Sequence, residues 1–220
     1  MHRTVAVISN KHFSEPFMID IMKVTSQHKH EYDLPFYYFG QIIQTNSDYK
    51  RPLVQQAMGD NNGYQHLFLE ASAQAERGTS QFSWLNKGKF FTLSTLTNNT
   101  DELILTRIGA NDPDFNLRND PGFLLRRKNT KNTTFVSLIE PHGSYSPITE
   151  LSLNSNSSIK ALKLVFDSER YTAVQILDVD NNKQLLLVAN SDNDEASEHS
   201  LTLGDSIYTW TGPYHYVQEG

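Results

Sequence analysis

The segment Ile139–Tyr145 brings a carboxylate, an imidazole and a phenol together, because Glu140, His142 and Tyr145 lie close in the chain. These side chains are suited to general acid–base catalysis and to hydrogen bonding with sugar hydroxyls. We expect a strand to end at Ile139, and Pro141 and Gly143 to bend the chain so that the polar groups project from the sheet. The same pattern also fits a structural loop whose polar groups face water, and both interpretations stay open.

A second candidate is the stretch Arg107–Arg118, which follows a predicted strand and is rich in Asn, Asp and Gly. Long ordered loops on a rigid scaffold often carry functional residues. Arg118 is of particular interest because a guanidinium can bind a carboxylate through two parallel hydrogen bonds. In the alternative interpretation, Asp112 or Asp114 pairs with an arginine and the loop is purely structural.

Histidines and aromatic residues are concentrated between positions 28 and 41. His28 and His30 would share one face of a strand, so both imidazoles could reach one metal ion, with Asp33 nearby. No third ligand is identifiable, and we favour the alternative of a polar strand end whose histidines are solvated or hydrogen-bonded. The aromatic run Tyr32–Gln41 could form a sugar platform, but we expect most of its rings, like the two tryptophans, to lie in the core.

Composition excludes several classes of protein. The chain has 220 residues, no cysteine and a formal net charge of −6. The lack of cysteine excludes disulfides, thiolate metal sites and cysteine nucleophiles, and the acidic balance argues against general nucleic-acid binding. The longest apolar run, Leu185–Ala189, is far shorter than the roughly 20 residues of a membrane helix. We therefore expect no membrane span, and no signal peptide is visible in this chain.

Alternation with a period of two residues dominates the sequence, for example through Leu162, Leu164 and Phe166. This pattern predicts strands with one buried face, among them Phe17–Val24, Ile159–Asp167 and Ser206–Thr211. Turn-forming residues separate the runs, and Lys87-Gly88 is typical of a tight hairpin. About 14 such runs predict an all-β protein, a two-layer antiparallel β-sandwich that forms a single domain over residues 1–220.

Several stretches, taken in order, resemble one family, the heparinase II/III-like polysaccharide lyases. The resemblance is strongest to the oligoalginate lyases of polysaccharide lyase family seventeen. The stretches that carry it are Pro16–Asp20, Lys23-Val24, His30–Tyr38, Asn62–Leu67, Phe82–Asn86, Thr106–Pro113, Phe115–Arg118, Ile139–Gly143 and Trp210–Pro213.

The resemblance covers only the latter half of the family's antiparallel β-sheet domain, which follows a helical α/α-toroid. It implies that the chain is the C-terminal part of a longer lyase. The family's catalytic Asn, His and Tyr residues and its metal ligands would all precede Met1. The resemblance therefore assigns no catalytic residue, metal ligand or cofactor to this chain.

The resemblance also implies a role in cleaving alginate by β-elimination, with the chain supporting the substrate cleft and not catalysing alone. The implied substrate-binding residues are Glu140, His142 and Arg118, of which Glu140 lies in a family segment that faces the cleft. The implied partners are a uronate polysaccharide or oligosaccharide and a helical catalytic domain in cis or in trans. Periplasmic or cell-envelope localisation is expected on the same grounds.

Two alternatives stay open. One is a self-sufficient jelly-roll alginate lyase, but Gln175-Ile176-Leu177 lacks the histidine that such enzymes carry in a similar motif. The other is a non-catalytic carbohydrate-binding or structural β module, which predicts a row of aromatic rings on an exposed face.

Overall fold

A computed structural model describes residues 1–109 and 120–219. This part of the chain consists of antiparallel strands and one 3-10 helix, Tyr64–His66, and it contains no α-helix. None of the described helical structure is long and apolar enough to cross a membrane. The predicted all-β antiparallel class is thereby confirmed.

A seven-stranded sheet, sheet A, forms the centre of the structure. With strands numbered along the chain, its members are β1 (His2–Ile8), β2 (Phe17–Val24), β4 (Gln41–Thr45), β6 (Gly78–Asn86), β7 (Lys89–Thr97), β10 (Thr133–Ser146) and β11 (Leu151–Leu153). Their order in the sheet is β1-β2-β10-β7-β6-β4, and β11 pairs with the far end of β10.

Two four-stranded sheets and a hairpin complete the fold. Sheet B, in the order β3-β9-β8-β5, consists of β3 (His30–Tyr37), β5 (Leu67–Gln74), β8 (Asp101–Ile108) and β9 (Asp120–Thr130). Sheet C, in the order β12-β13-β14-β17, consists of β12 (Ile159–Asp167), β13 (Tyr171–Asp178), β14 (Lys183–Ala189) and β17 (Tyr214–Glu219). The terminal hairpin consists of β15 (Glu198–Leu203) and β16 (Ser206–Thr211).

The central strands of sheet A bury side chains on both faces, because successive side chains point to opposite sides and another sheet covers each side. In β10, Phe135 belongs to a core shared with sheet B, whereas its neighbour Val136 belongs to a core shared with sheet C. A third apolar cluster joins the outer face of sheet C to the terminal hairpin. The predicted sandwich is therefore present, and it is part of a stack of four layers in the order sheet B, sheet A, sheet C and terminal hairpin.

The turn at Lys87-Gly88 follows the prediction. Lys87 has φ 49° and Gly88 has φ 78°, and Asn86 pairs directly with Lys89. Two successive positive φ values define the type I′ turn, whose twist matches that of the flanking strands. The hairpin fixes the register of β6 and β7 at the centre of sheet A.

Most predicted strands lie where expected, and the bounds of β2, β12 and β16 agree with the prediction. The prediction that a strand ends at Ile139 is wrong, because β10 continues to Ser146. Pairing of β10 with β2 stops at Ile139, so Pro141 pairs with β7 on one side only. A sheet tolerates proline at such a position, because no partner there needs its missing N–H.

Candidate functional site

Glu140 lies inside the protein and not on a projecting loop. Its side chain faces sheet C from the middle of β10, and the residue is only 1% exposed. The Ser157 hydroxyl donates to one carboxylate oxygen, and the Ser158 backbone N–H lies 3.0 Å from both oxygens. Glu140 thus ties the chain that leads into β12 to sheet A.

His142 is equally buried, and both of its ring nitrogens are engaged. Nδ1 lies 2.7 Å from the Asn154 carbonyl oxygen and Nε2 lies 2.8 Å from the Thr92 hydroxyl. A carbonyl can only accept, so Nδ1 carries the donated hydrogen. In the neutral ring, Nε2 then accepts from Thr92, whose oxygen also lies 2.6 Å from that of Ser83.

Gly143 permits this arrangement. Its φ is 49°, and a Cβ at this position would lie 2.1 Å from the Asn154 carbonyl oxygen and 2.2 Å from that of Leu153. Only glycine fits where two backbone segments approach so closely. Arg118, the third predicted substrate-binding residue, lies outside the described residues. Contact of Glu140, His142 and Arg118 with a substrate stays a prediction.

Exposed polar and aromatic groups gather instead on the outer face of sheet B. Leu34 and Phe36 of β3 point into the core, so the alternate residues Asp33, Pro35 and Tyr37 point outward. The 3-10 helix stands beside them. Together they line a cleft of about 350 Å³, here called the sheet-B cleft. Its polar and aromatic lining comprises Asp33, Tyr37, Asn62, Tyr64 and His66, and its aliphatic lining comprises Pro35, Leu67, Ile108 and Leu124.

An ion pair anchors one wall of the sheet-B cleft. Asp33 and Arg126 are directly opposite on β3 and β9, and two bonds of 2.8 Å join the guanidinium to the carboxylate. The Tyr64 hydroxyl donates to the same carboxylate, and Glu31 lies 3.2 Å from Arg126. Each group restricts the others, which gives the wall a fixed shape.

This network shifts two protonation equilibria. The hydrogen bond to Asp33 is the main cause of a raised Arg126 pKa, and burial opposes it. Burial is the main cause that raises the pKa of Tyr64 to about 12, followed by its hydrogen bond to Asp33. The phenol therefore remains protonated at neutral pH and acts as a fixed donor.

The sheet-B cleft has the properties of a recognition surface. Its volume falls at the lower end of the range for small-molecule sites. Tyr37 is 58% exposed and presents a free ring face, while His66 and Asn62 offer hydrogen-bonding groups at the rim. An aromatic face beside polar groups can stack a ring-shaped polar ligand and fix its orientation.

The structure also shows the surroundings of Asp33, from the possible metal cluster, and of the two tryptophans. Asp33 is engaged by Arg126 and Tyr64, and the described residues contain no group of three or more ligand side chains that could hold a metal ion. Trp84 and Trp210 are buried as predicted, at 7% and 6% exposure.

Sequence reasoning missed Tyr64, His66 and Arg126 as site residues. Arg126 and Arg127 lie in a basic run near the end of β9, and neither is left to solvent, because Arg126 binds Asp33 and Arg127 is buried against Asp101. Both acidic partners face the arginines across neighbouring strands, far away in sequence. For Tyr64 and His66 the available signal was the stretch Asn62–Leu67, which carries the family resemblance, and for Arg126 it was a basic run at the end of a predicted strand.

The fold defines the class of the molecule: an all-β protein of stacked antiparallel sheets with a polar and aromatic cleft on its outer face. No protein-family model matches the chain.

Two curated proteins are similar to it over nearly its whole length. An alginate lyase of Stenotrophomonas maltophilia (strain K279a) is 30% identical over 213 residues, which are 96% of this chain and 28% of the relative. An exo-oligoalginate lyase of Saccharophagus degradans (strain 2-40) is 27% identical over 214 residues, which are 96% of this chain and 29% of the relative. The chain spans less than a third of either relative. The similarity supports the alginate lyase part of the predicted resemblance, and the assignment to a heparinase II/III-like C-terminal domain stays a prediction.

Proposed function

We propose that this chain is the β-sheet portion of an alginate or oligoalginate lyase, that it supports the substrate cleft, and that it is not catalytic alone. The observation that carries the proposal is the similarity of 96% of the chain to two proteins named as such lyases, of which it spans only 28% and 29%. A chain that matches so small a share of an enzyme is expected to supply part of its machinery.

The chemistry of β-elimination supports this division of roles. The reaction needs a base near C5, an acid near the leaving C4 oxygen, and a donor that neutralises the uronate carboxylate as negative charge develops. Glu140 and His142 are buried and bonded to protein groups. In the sheet-B cleft, the Asp33 carboxylate is paired with Arg126, and the Tyr64 phenol has a raised pKa. Within the described residues, recognition is therefore better supported than proton transfer.

The sheet-B cleft is the proposed contact with the sugar chain. Tyr37 would stack on one face of a pyranose ring, and His66 and Asn62 would bond its hydroxyls. The rest of the enzyme, a helical catalytic portion in cis or in trans, would supply the opposite wall, the metal and the water-excluded environment that the elimination requires. Periplasmic or cell-envelope localisation belongs to the same proposal.

Activity and binding measurements on the 220-residue chain test this proposal. With oligoalginate as substrate, absorbance of the unsaturated uronate product should stay at the level of the blank. Turnover of about 1 per second or more, typical of an enzyme, would instead establish a self-sufficient lyase.

Calorimetric titration with a mannuronate tetramer should show saturable binding. Tyr37→Ala and His66→Ala should each weaken it by about threefold to tenfold, the loss expected for one ring contact or hydrogen bond. Tyr214→Ala is the matched control, because Tyr214 is 60% exposed on β17, outside the sheet-B cleft. Equal affinity of all three variants and the parent protein would exclude the sheet-B cleft as the contact.

A further inference from the structure

A second cleft lies where the terminal hairpin packs on the outer face of sheet C. Most of this layer is held by aliphatic contacts, such as those of Leu201 with the side chains of β14. At one end the layer becomes aromatic and polar, and a cleft of about 600 Å³ opens there. This hairpin cleft is lined by Arg170, Tyr171, His199 and Trp210, with the hydroxyls of Ser200 and Thr209 and the carboxylate of Glu198 at its rim.

Three rings form the inner wall of the hairpin cleft. His199 and Trp210 are cross-strand partners, with ring centroids 5.2 Å apart. Tyr171 of β13 contacts both rings edge-on, at centroid distances of 5.4 Å from Trp210 and 5.7 Å from His199. The Arg170 guanidinium lies over the Tyr171 ring at 5.0 Å. A cation and three rings are thus held in fixed positions.

Two buried polar atoms of this wall lack hydrogen-bond partners among the described residues: Nε2 of His199 and Nε1 of Trp210. Asp192 Oδ2 lies 4.0 Å from His199 Nε2, beyond hydrogen-bond distance. Native proteins rarely leave such groups unsatisfied, and each instance calls for a ligand or water to complete it. Here the two atoms belong to cross-strand partners that line one cleft, so a single molecule bound there lies next to both residues.

The chemistry of the lining selects the class of ligand. The indole N–H can only donate, the imidazole nitrogen can donate or accept, and the rim adds hydroxyls that do both. A polyhydroxylated ring, whose hydroxyls both donate and accept, uses such a mixed set. Arg170 adds a guanidinium suited to a carboxylate.

We propose that the hairpin cleft binds one unit of a uronate oligosaccharide, as an ancillary site separate from the sheet-B cleft. The choice of a uronate rests on the proposed function; the choice of a saccharide rests on the lining alone. Such a site would hold a long substrate chain on the protein while another part of the chain is processed.

Fluorescence can test the proposal because the protein has only two tryptophans. Trp84 lies in the core between sheets A and B, so Trp84→Phe leaves Trp210 as the sole reporter. Titration with a mannuronate tetramer should change Trp210 emission saturably, and a neutral hexose tetramer of equal length should bind at least tenfold more weakly. Equal affinity for the two tetramers would overturn the assignment of a uronate.

Calorimetry on conservative variants locates the site. Trp210→Phe keeps a ring but removes the N–H, and His199→Gln replaces the imidazole with an amide; circular dichroism checks that both fold. Each should lower the affinity of one class of binding sites by about threefold to tenfold, while Tyr37→Ala affects the other class. Tetramer binding that is sensitive to Tyr37→Ala but unchanged in both hairpin variants would overturn this inference and leave the proposed function intact. Weaker tetramer binding in the hairpin variants alone would support this inference and exclude the sheet-B cleft as the contact in the proposed function.

Discussion

Replacing Glu140 distinguishes a structural role from a substrate contact. In Glu140→Ala, the half-buried Ser157 hydroxyl and Ser158 N–H lose the acceptor that the buried Glu140 carboxylate provides. A buried donor left without a partner costs about 1–3 kcal/mol. The Ser157 oxygen still accepts from the Ile159 N–H at 3.0 Å, which limits its freedom to find a new acceptor. We therefore expect the free energy of unfolding to fall by about 2–4 kcal/mol.

Urea unfolding of the 220-residue chain, followed by circular dichroism, measures this loss. At about 2–4 °C per kcal/mol for a chain of this size, the melting temperature should fall by about 5–15 °C. Glu140→Gln keeps one acceptor oxygen and should lose less stability. Glu195→Ala, the same substitution at an exposed position, should change stability by less than about 0.5 kcal/mol. Unchanged stability of Glu140→Ala combined with weaker oligoalginate binding would refute the structural assignment.

Three further predictions follow from the packing and the ionisable groups. Asp101→Asn should lower the free energy of unfolding, measured in urea, by about 3–5 kcal/mol, because it leaves the Arg127 guanidinium buried without its carboxylate partner. Glu102→Gln is the control, since Glu102 forms an exposed ion pair with Lys128. An equal loss of stability in the two variants would contradict the prediction. Gly143→Ala should reduce the melting temperature more than Gly204→Ala, because both glycines have positive φ but only at Gly143 would a Cβ collide with backbone oxygens; equal losses would show that the strand segments simply move apart. Burial is the main cause that raises the pKa values of Tyr38 and Tyr64 to about 12. Their contribution to stability is therefore complete below the unfolded pKa of about 10 and is lost as pH rises through about 12. In a titration followed by tyrosinate absorbance, Tyr64→Phe should remove part of the component that appears at high pH, and an unchanged curve would contradict the shift at Tyr64.

The sequence was a reliable guide to the strands because the information that specifies them is local. Alternation of apolar and polar residues fixed Phe17–Val24 and Ile159–Asp167 to the residue, and Lys87-Gly88 fixed a turn whose φ values few other pairs tolerate. The alternating pattern did not predict that β10 continues past Pro141. A proline ends a strand only where a neighbouring strand needs its N–H, and the pairing with β2, a distant part of the chain, stops before Pro141.

The candidate sites depended on contacts that the sequence does not encode locally. The types of Glu140 and His142 suggest exposed acid–base chemistry, yet sheet C and the segment that precedes β12 cover them. Arg126 is adjacent to Arg127 in the chain, but they point to opposite faces of sheet B, one to the sheet-B cleft with Asp33 and the other into the core with Asp101. Composition and periodicity determined that this protein is built of antiparallel strands, because burial of alternate side chains is a property of each strand alone. Only the stacking of the sheets decided which polar groups are buried as structural ties and which line a cleft, because that depends on which distant strand covers each face.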